Sequence, residues 1–427
     1  MSMTWLKRGL PPPGEGPAEV SATVAAMLAE IEHGREAAAE AIAQRLDRWE
    51  GPVVVSGAAM DEACARVPQQ LRDDIAYAHE NIARFAEAQR ASLRETEVEL
   101  RPGLVAGQRL IPVAAAGCYV PGGRYSHIAS AMMTVTTAKV AGVAHVAAVS
   151  PPRADAPAGV PDAILYTLRH CGADRVLALG GIPGVAALAF GLFGLPPADI
   201  LVGPGNAYVA EAKRLLYGRV GIDMVAGPTD SMVIADASAD PLVVAWDLIG
   251  QAEHGANSPV WLVTDSPDLA EAVARLAPAC AGELPEPNRS AALAAWSGLA
   301  EIILCAGPEE MAAHADLIAP EHLHVQAADL DWWKARLRAY GSLFLGAEST
   351  VAFGDKAAGT NHVLPTSGAA RYTGGLSVHK FLKTVTWQRV EPQALPRLAA
   401  VTASISRFEG MEGHARTADI RLQKFVR

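Results

Sequence analysis

The sequence lacks the features that mark several large protein classes. Its five cysteines, Cys64, Cys118, Cys171, Cys280 and Cys305, are odd in number, far apart and never arranged as CxxC. That spacing excludes a zinc knuckle or a CxxC redox motif and predicts buried or incidental thiols. The longest nearly uninterrupted apolar stretch, Val185 to Leu195, contains glycines and falls short of the ~20 residues that cross a bilayer. The opening MSMTWLKRGLPPPGEG has basic residues with no apolar segment behind them, so no secretory leader is expected and a cytoplasmic location follows by default. The formal charge of -10 comes without any long acidic or basic run. Nucleic-acid phosphates are bound by clustered Lys and Arg, so a small-molecule partner is expected instead.

What is present is apolar content and punctuation. The chain has 427 residues, half of them hydrophobic, which suffices for sizeable cores and predicts two or more domains. Val20 to Trp49 has the spacing of an amphipathic helix, and Asp61 to Arg90 continues in helical style. From Leu110 the texture changes to short β-branched runs between alanine-rich helical patterns: IPVAAAGCYV, SAMMTVTTAKVAG, HVAAVSPP, DAILYTLRHCG, DRVLALGG. Alternation of this kind implies βαβ units and a parallel sheet. A second such set runs from PLVVAWDLIGQAEHG through PVWLVTDS and EIILCAG to MAAHADLIAPEHLHV, so two α/β modules in tandem are expected. The proline-rich PPRADAPAGVP reads as a surface loop. After Lys380 a strand-like KTVTWQRV precedes a helix from Pro392 to about Phe408, and then a polar tail.

Several short patterns carry chemistry. GGIPG at 180–184 and GPGNAY at 203–208 each follow an apolar strand and precede a helix, a context that favours anions. Neither matches GxGxxG, and tight turns use glycine for backbone reasons alone. QAEHG sets Gln251 and His254 on one helical face, either as a shared metal site or as a cap beside a surface histidine. In PEHLH, Glu321 adjoins His322, suited to acid/base catalysis, and His324 alternates onto the same side if the segment is extended. GDKAAGTNHVLPTSG, 354–368, holds Asp355 and His362 in a stretch too rich in Gly, Thr, Asn and Pro for regular structure. Gln251, His254, Asp355 and His414 together offer mixed N/O ligands of a type zinc or manganese accepts; with no cysteine, a catalytic metal is the better match.

CYVPGG, GPGNAYVAEAKR, IDMVAGP, QAEHG, PEHL and GDKAAGTNHVLPT, in this order, resemble the histidinol dehydrogenase family over nearly the whole chain. The resemblance implies an α/β fold of two incomplete Rossmann-like domains in tandem, with small helical terminal extensions, in an interlocked homodimer. It divides the chain into an N-terminal arm (1–16), a first domain on the metal and substrate side (17–118 with 230–375), an NAD-binding second domain (119–229) and a dimerisation segment (376–427). It further implies zinc bound by Gln251, His254, Asp355 and His414, the last from the partner subunit. Glu321 and His322 become the acid/base pair, Thr229, His362 and Glu409 contact substrate, and Tyr119 and Asn206 contact NAD. The family reaction takes L-histidinol through an aldehyde to L-histidine with reduction of two NAD.

Three departures stand out: Pro183 where a cofactor-contacting Gln is usual, Ala129 where a substrate-contacting Ser is usual, and HKFLKTVT in place of DFxKR. YTGGL and EGMEGH look more similar to paralogues that oxidise other alcohols, such as the dehydrogenase of 2,3-dihydroxypropane-1-sulfonate, although Met132 stands where those have His. Arg124, Lys380 and Lys383 are candidate partners for a sulfonate or carboxylate, with solvated surface as the plainer assignment. The alternatives from other classes are a binding protein that kept the scaffold and lost turnover, and a metal-dependent hydrolase in which Glu321 activates water.

Overall fold

The computed structural model describes residues 3–10, 17–122, 127–224 and 227–426, which divide into two compact units. The larger comprises Met1–Gln89 and Val113–Phe381, the smaller Arg90–Pro112 and Leu382–Arg427.

The larger unit is α/β with two mainly parallel sheets. One has five strands in the order Arg175–Ala178, His145–Ser150, Ala115–Tyr119, Ile200–Val202, Gly221–Ile222, all parallel. Numbered by sequence this is 3-2-1-4-5, the doubly wound order one strand short of a full Rossmann sheet. The other repeats that order in Glu301–Leu304, Val260–Thr264, Ser231–Ala235, His322–Gln326, Ser342–Leu345, and adds Thr4–Lys7 as an antiparallel edge strand. Ala115–Tyr119 and Ser231–Ala235 are buried along their whole length, as expected of central strands with both faces covered. The two expected α/β modules are therefore present with the same winding. Four cysteines are buried, Cys64 is partly so, and none is paired.

The structure draws the divisions inside the chain differently from the sequence-based scheme. The helical segment Pro17–Asp47, kinked at Arg35, falls in the sequence-based scheme with the six-stranded module. Instead Val24, Leu28, Ile31 and Ile42 share a core with Tyr119, Leu177 and Leu188 of the five-stranded one. Amphipathic spacing predicts a buried stripe but is silent on which sheet covers it. Thr4–Lys7 of the arm belongs to the six-stranded sheet, and Ala115–Tyr119 is the central strand of the other, so the boundary at 118/119 cuts through one strand. The helical run 61–90 is two helices, Gly57–Arg66 and Gln69–Ala91, broken at Val67 and Pro68.

The smaller unit is an antiparallel sheet ordered Leu382–Val390, Leu104–Pro112, Thr96–Arg101, and a helical hairpin, Leu395–Phe408 with Glu412–Phe425. The hairpin closes on Ala399, Ala403, Ala415 and Ala418. The polar tail expected after Phe408 is this second helix. Its sequence, EGHARTADIRLQKF, buries only two alanines and so shows no apolar stripe.

Candidate active site

The candidate site forms where the carboxyl ends of the five-stranded sheet meet the amino ends of the central strands of the six-stranded one. A cavity of about 340 Å³ is lined by Ser130, Gly205 and Asn206 from the first, and by Thr229, His254, Glu321, His322, Asp355 and His362 from the second and its following loop.

Glu321 and His322 enter at the head of the strand His322–Gln326, whose first residue pairs in register with Ser231 and Ser342. Gly341 permits the neighbouring strand to approach, since a Cβ there would collide with the Glu321 carbonyl oxygen. Glu321 Oε2 accepts from Thr229 Oγ1 at 2.6 Å and from the Asp230 amide at 3.0 Å. Asp230 returns the contact by accepting from the Glu321 amide at 2.6 Å, and from the Ser367 amide at 3.1 Å. Burial pushes the Glu321 carboxyl up to about 7, with Asp230 adding to the rise against the opposing pull of His322. His322 Nδ1 lies 3.0 Å from the Asp230 carbonyl oxygen, which accepts only, so Nδ1 carries the proton and Nε2 is the basic nitrogen of the neutral ring. Nε2 is buried without a hydrogen-bond partner, 3.5 Å from Asp355 Oδ1. Burial draws His322 down, but the charges of Glu321 and Asp355 outweigh it and lift the imidazole to about 9.

Gln251 lies in the last turn of the helix Pro241–Ala252, which Asp240 caps through the Leu242 and Val243 amides with Pro241 in the first turn. His254 follows three residues later. Asp355 sits on a short helix, Val351–Lys356, in a segment the sequence reading took as irregular throughout. Burial lowers the His254 pKa and so keeps the ring neutral. Burial pushes Asp355 up, but His322 beside it, with His362 and Lys356, more than offsets this and holds the carboxyl at about 2. Gln251 Oε1 is buried and unpartnered. A neutral imidazole, an ionised carboxylate and an orphaned amide oxygen are the protonation states and donor types that zinc takes, so these residues fit the metal. Among the described residues no group of three or more His, Cys, Asp and Glu is placed to hold a metal ion. Of the residues that the resemblance assigns to zinc, His254 and Asp355 line the cavity, and Gln251 does not. Glu409 and His414 lie in the smaller unit, both exposed, at the turn and start of the helical hairpin.

His362 is near Ser130, Nε2 to Oγ at 2.9 Å, and burial drives its pKa down to about 4. Ser130 went unnoticed in the sequence, as did His127, which also lines the cavity. Ala129, the position read as a departure, is buried in the helix Ile128–Ala141, and the hydroxyl in the cavity comes from its neighbour. Arg124 lies outside the described residues. Lys380 donates to Thr373 Oγ1 at 2.9 Å.

A second cleft, of about 550 Å³, adjoins through shared lining residues Pro121, Gly205 and Asn206, and adds Tyr119, Gly122, Gly181 and Asp47. It opens at the carboxyl ends of strands 1 and 4 of the 3-2-1-4-5 sheet, the switch point where such sheets bind nucleotides. Asn206 caps the helix Ala207–Leu216 through Oδ1 to the Tyr208 and Val209 amides, so any ligand contact falls to Nδ2. The Tyr119 hydroxyl accepts from the Gly181 amide at 3.1 Å. Gly203, at φ +114°, passes so close that a Cβ would collide with the Tyr119 carbonyl oxygen. Pro183 is buried within the first turn of the helix Gly181–Phe190 and does not line the cleft.

Comparison with known proteins agrees with this geometry. The family model for histidinol dehydrogenase matches residues 13–422. A histidinol dehydrogenase homolog of Ruegeria pomeroyi is 68% identical over 99% of this chain and 98% of its own length. A sulfopropanediol 3-dehydrogenase of the same organism is 60% identical over 100% and 97%. The crystal structure of histidinol dehydrogenase from Elizabethkingia anophelis superposes with a TM-score of 0.89 at 30% identity, covering 97% of this chain and 94% of that one. The chain belongs to the histidinol dehydrogenase family and is a dehydrogenase.

Proposed function

We propose that the chain oxidises a small, hydroxylated, anionic primary alcohol of the 2,3-dihydroxypropane-1-sulfonate type, through the aldehyde, to the carboxylate. Zinc and two NAD serve the reaction. The observation that carries the substrate reading is 60% identity over the full chain to a sulfopropanediol 3-dehydrogenase, against 41% over 84% of it to a histidinol dehydrogenase of Thermus thermophilus.

Gln251, His254 and Asp355 are the residues that would hold zinc, completed by His414 of the partner subunit. The exposed place of His414 on its hairpin, together with Ile405, Phe408 and Met411 left exposed on that unit, supports a shared site in a homodimer. Zinc there would supply Lewis acidity to the substrate hydroxyl and, by taking up the Asp355 charge, would remove part of what keeps His322 protonated. NAD bound at the switch-point cleft would supply the two-electron acceptor for each oxidation. His322 Nε2 accepts the hydroxyl proton, and the Nδ1 bond to Asp230 holds the ring in the tautomer that allows it. Glu321, clamped by Thr229 and Asp230, takes a proton from water as that water adds to the aldehyde carbon, and His322 returns its proton to the aldehyde oxygen, giving the hydrate that the second oxidation turns into carboxylate. Thr229 thereby orients Glu321, beyond the substrate contact that the resemblance implies for it. His362 and Ser130 stand on the cavity wall as substrate-contacting groups, and Glu409 is assigned with His414 to the partner's contribution.

The test is the number of NADH formed per molecule of limiting alcohol by zinc-loaded protein with excess NAD. Two from 2,3-dihydroxypropane-1-sulfonate and none from L-histidinol is the expected result. Two from L-histidinol would make the family's own reaction the function. No NADH from either, with no heat of NAD binding by calorimetry, would favour the hydrolase or binding-protein reading.

A further inference from the structure

A polar cluster that the chemistry above does not use surrounds Asp247, one helical turn before Gln251. Asp247 Oδ1 accepts from Thr350 Oγ1 at 2.8 Å, and Oδ2 accepts from Gln326 Nε2 at 2.7 Å. His324 Nδ1 is 3.3 Å from Oδ2, and its Nε2 donates to the Gly346 carbonyl oxygen at 2.8 Å. His324 and Gln326 are buried, and none of these side chains lines the reaction cavity.

Each partner nevertheless belongs to an element that carries a site residue. Asp247 and Gln251 share the helix Pro241–Ala252 and are four residues apart, hence on one face. His324 and Gln326 alternate with His322 onto one side of the strand His322–Gln326. Thr350 is the residue from which the helix Val351–Lys356, with Asp355, begins. One carboxylate therefore joins the three elements that deliver Gln251 and His254, His322, and Asp355. Hydrogen bonds to a carboxylate in a low-dielectric interior are short, strong and directional, so they resist relative sliding of the elements they join.

We propose that Asp247 is a positioning residue: by tying Thr350 and Gln326 to the Gln251 helix it sets the spacing of the metal donors, and with it metal affinity and geometry. The inference rests on the zinc reading above. The experiment takes full-length apoprotein, wild type, Asp247→Asn and Thr350→Val, and measures zinc affinity by competition with a chromophoric chelator and the visible d–d spectrum after cobalt(II) loading. Direct hydrogen-bond partners of metal ligands are worth about 10- to 100-fold in affinity, and Asp247, one step further out, is assigned the lower figure of about 10-fold. Asp247→Asn is expected to bind zinc more weakly by that factor, with altered cobalt bands and a loss in kcat larger than the change in KM. Thr350→Val shifts the same readouts in the same direction, and decides the matter alone if Asp247→Asn does not fold. Folded variants with wild-type zinc affinity and wild-type cobalt bands, lowered only in Tm, would overturn the inference and leave the cluster a structural brace. A wild-type apoprotein that takes up neither metal would remove the zinc reading itself, and this inference with it.

Discussion

Glu321 and His322 are adjacent in the chain and both are raised by their surroundings, Glu321 by burial and His322 by the charges of Glu321 and Asp355. Burial raises the Glu321 carboxyl to about 7 from an ordinary 4.5. A group whose folded-state pKa is raised contributes stability that is fully present below its unfolded value and is lost as pH rises through the folded one. Wild-type protein should therefore lose stability between about pH 4.5 and pH 7 relative to Glu321→Gln, whose amide oxygen can still accept from Thr229 and Asp230. Calorimetry at pH 5 and pH 8 is expected to show a Tm advantage for Glu321→Gln that widens at the higher pH; an equal offset at both would mean that Glu321 does not titrate in this window. When aldehyde is supplied, the wild-type rate should rise with pH through about 7 as the carboxylate forms. That rise should be absent in Glu321→Gln, which should be slower by about 10²- to 10⁴-fold. His322→Asn is expected to lose alcohol oxidation by a similar factor while zinc content, read by atomic absorption, stays at the wild-type level.

The loop from Gly203 to Asn206 shows how elements hold a site. It is stabilised from behind by a buried ion pair between Lys213, on the helix Ala207–Leu216, and Asp223. Lys213 Nζ also donates to the Gly203 carbonyl oxygen at 2.9 Å, and Asp223 accepts from the Gly203 amide at 2.7 Å. Both backbone groups of one glycine are thus satisfied by a charge pair shut away from water. Removing one member of such a pair leaves a buried charge unpaired, which costs about 3–5 kcal/mol. Lys213→Met is expected to lose stability of that order in urea unfolding. Because the loop ends in Asn206 at the switch-point cleft, its NAD affinity by calorimetry should fall as well. Unchanged NAD affinity in the folded variant would show that the loop holds its shape without the pair.

At the scale of the whole molecule, the larger unit carries two sheets of one winding order, with Thr229, Glu321 and His322 at the amino ends of one and a crevice at the carboxyl ends of the other. The smaller unit holds His414 and Glu409 on an exposed hairpin. If His414 serves the partner subunit, His414→Ala and His322→Asn should each be inactive alone yet complement when mixed. In the mixed dimer one site combines an intact His322 with an intact His414 of the partner subunit, so random reassortment should restore about a quarter of wild-type activity. Mixtures no more active than their components would assign His414 to its own subunit or to no site at all.

The one-dimensional information was enough for the alternation that builds two α/β modules, because strand and helix periods are local properties of the chain. It was also enough to single out Glu321, His322 and His254, which line the cavity, and for the motifs that resemble the family. Tertiary structure decided what depends on distant partners. It placed helix Pro17–Asp47 on the five-stranded sheet, made the terminal EGHARTADIRLQKF a helix through its pairing with Leu395–Phe408, and put Asp355 on a helix inside a Gly- and Pro-rich segment. It brought Ser130 to His362 across 232 positions and Thr229 and Asp230 to Glu321 across about 90. No periodicity encodes such meetings, since they follow from strand order and register. The pKa of Glu321 belongs to the same class, because burial and a neighbouring charge exist only once the chain has folded.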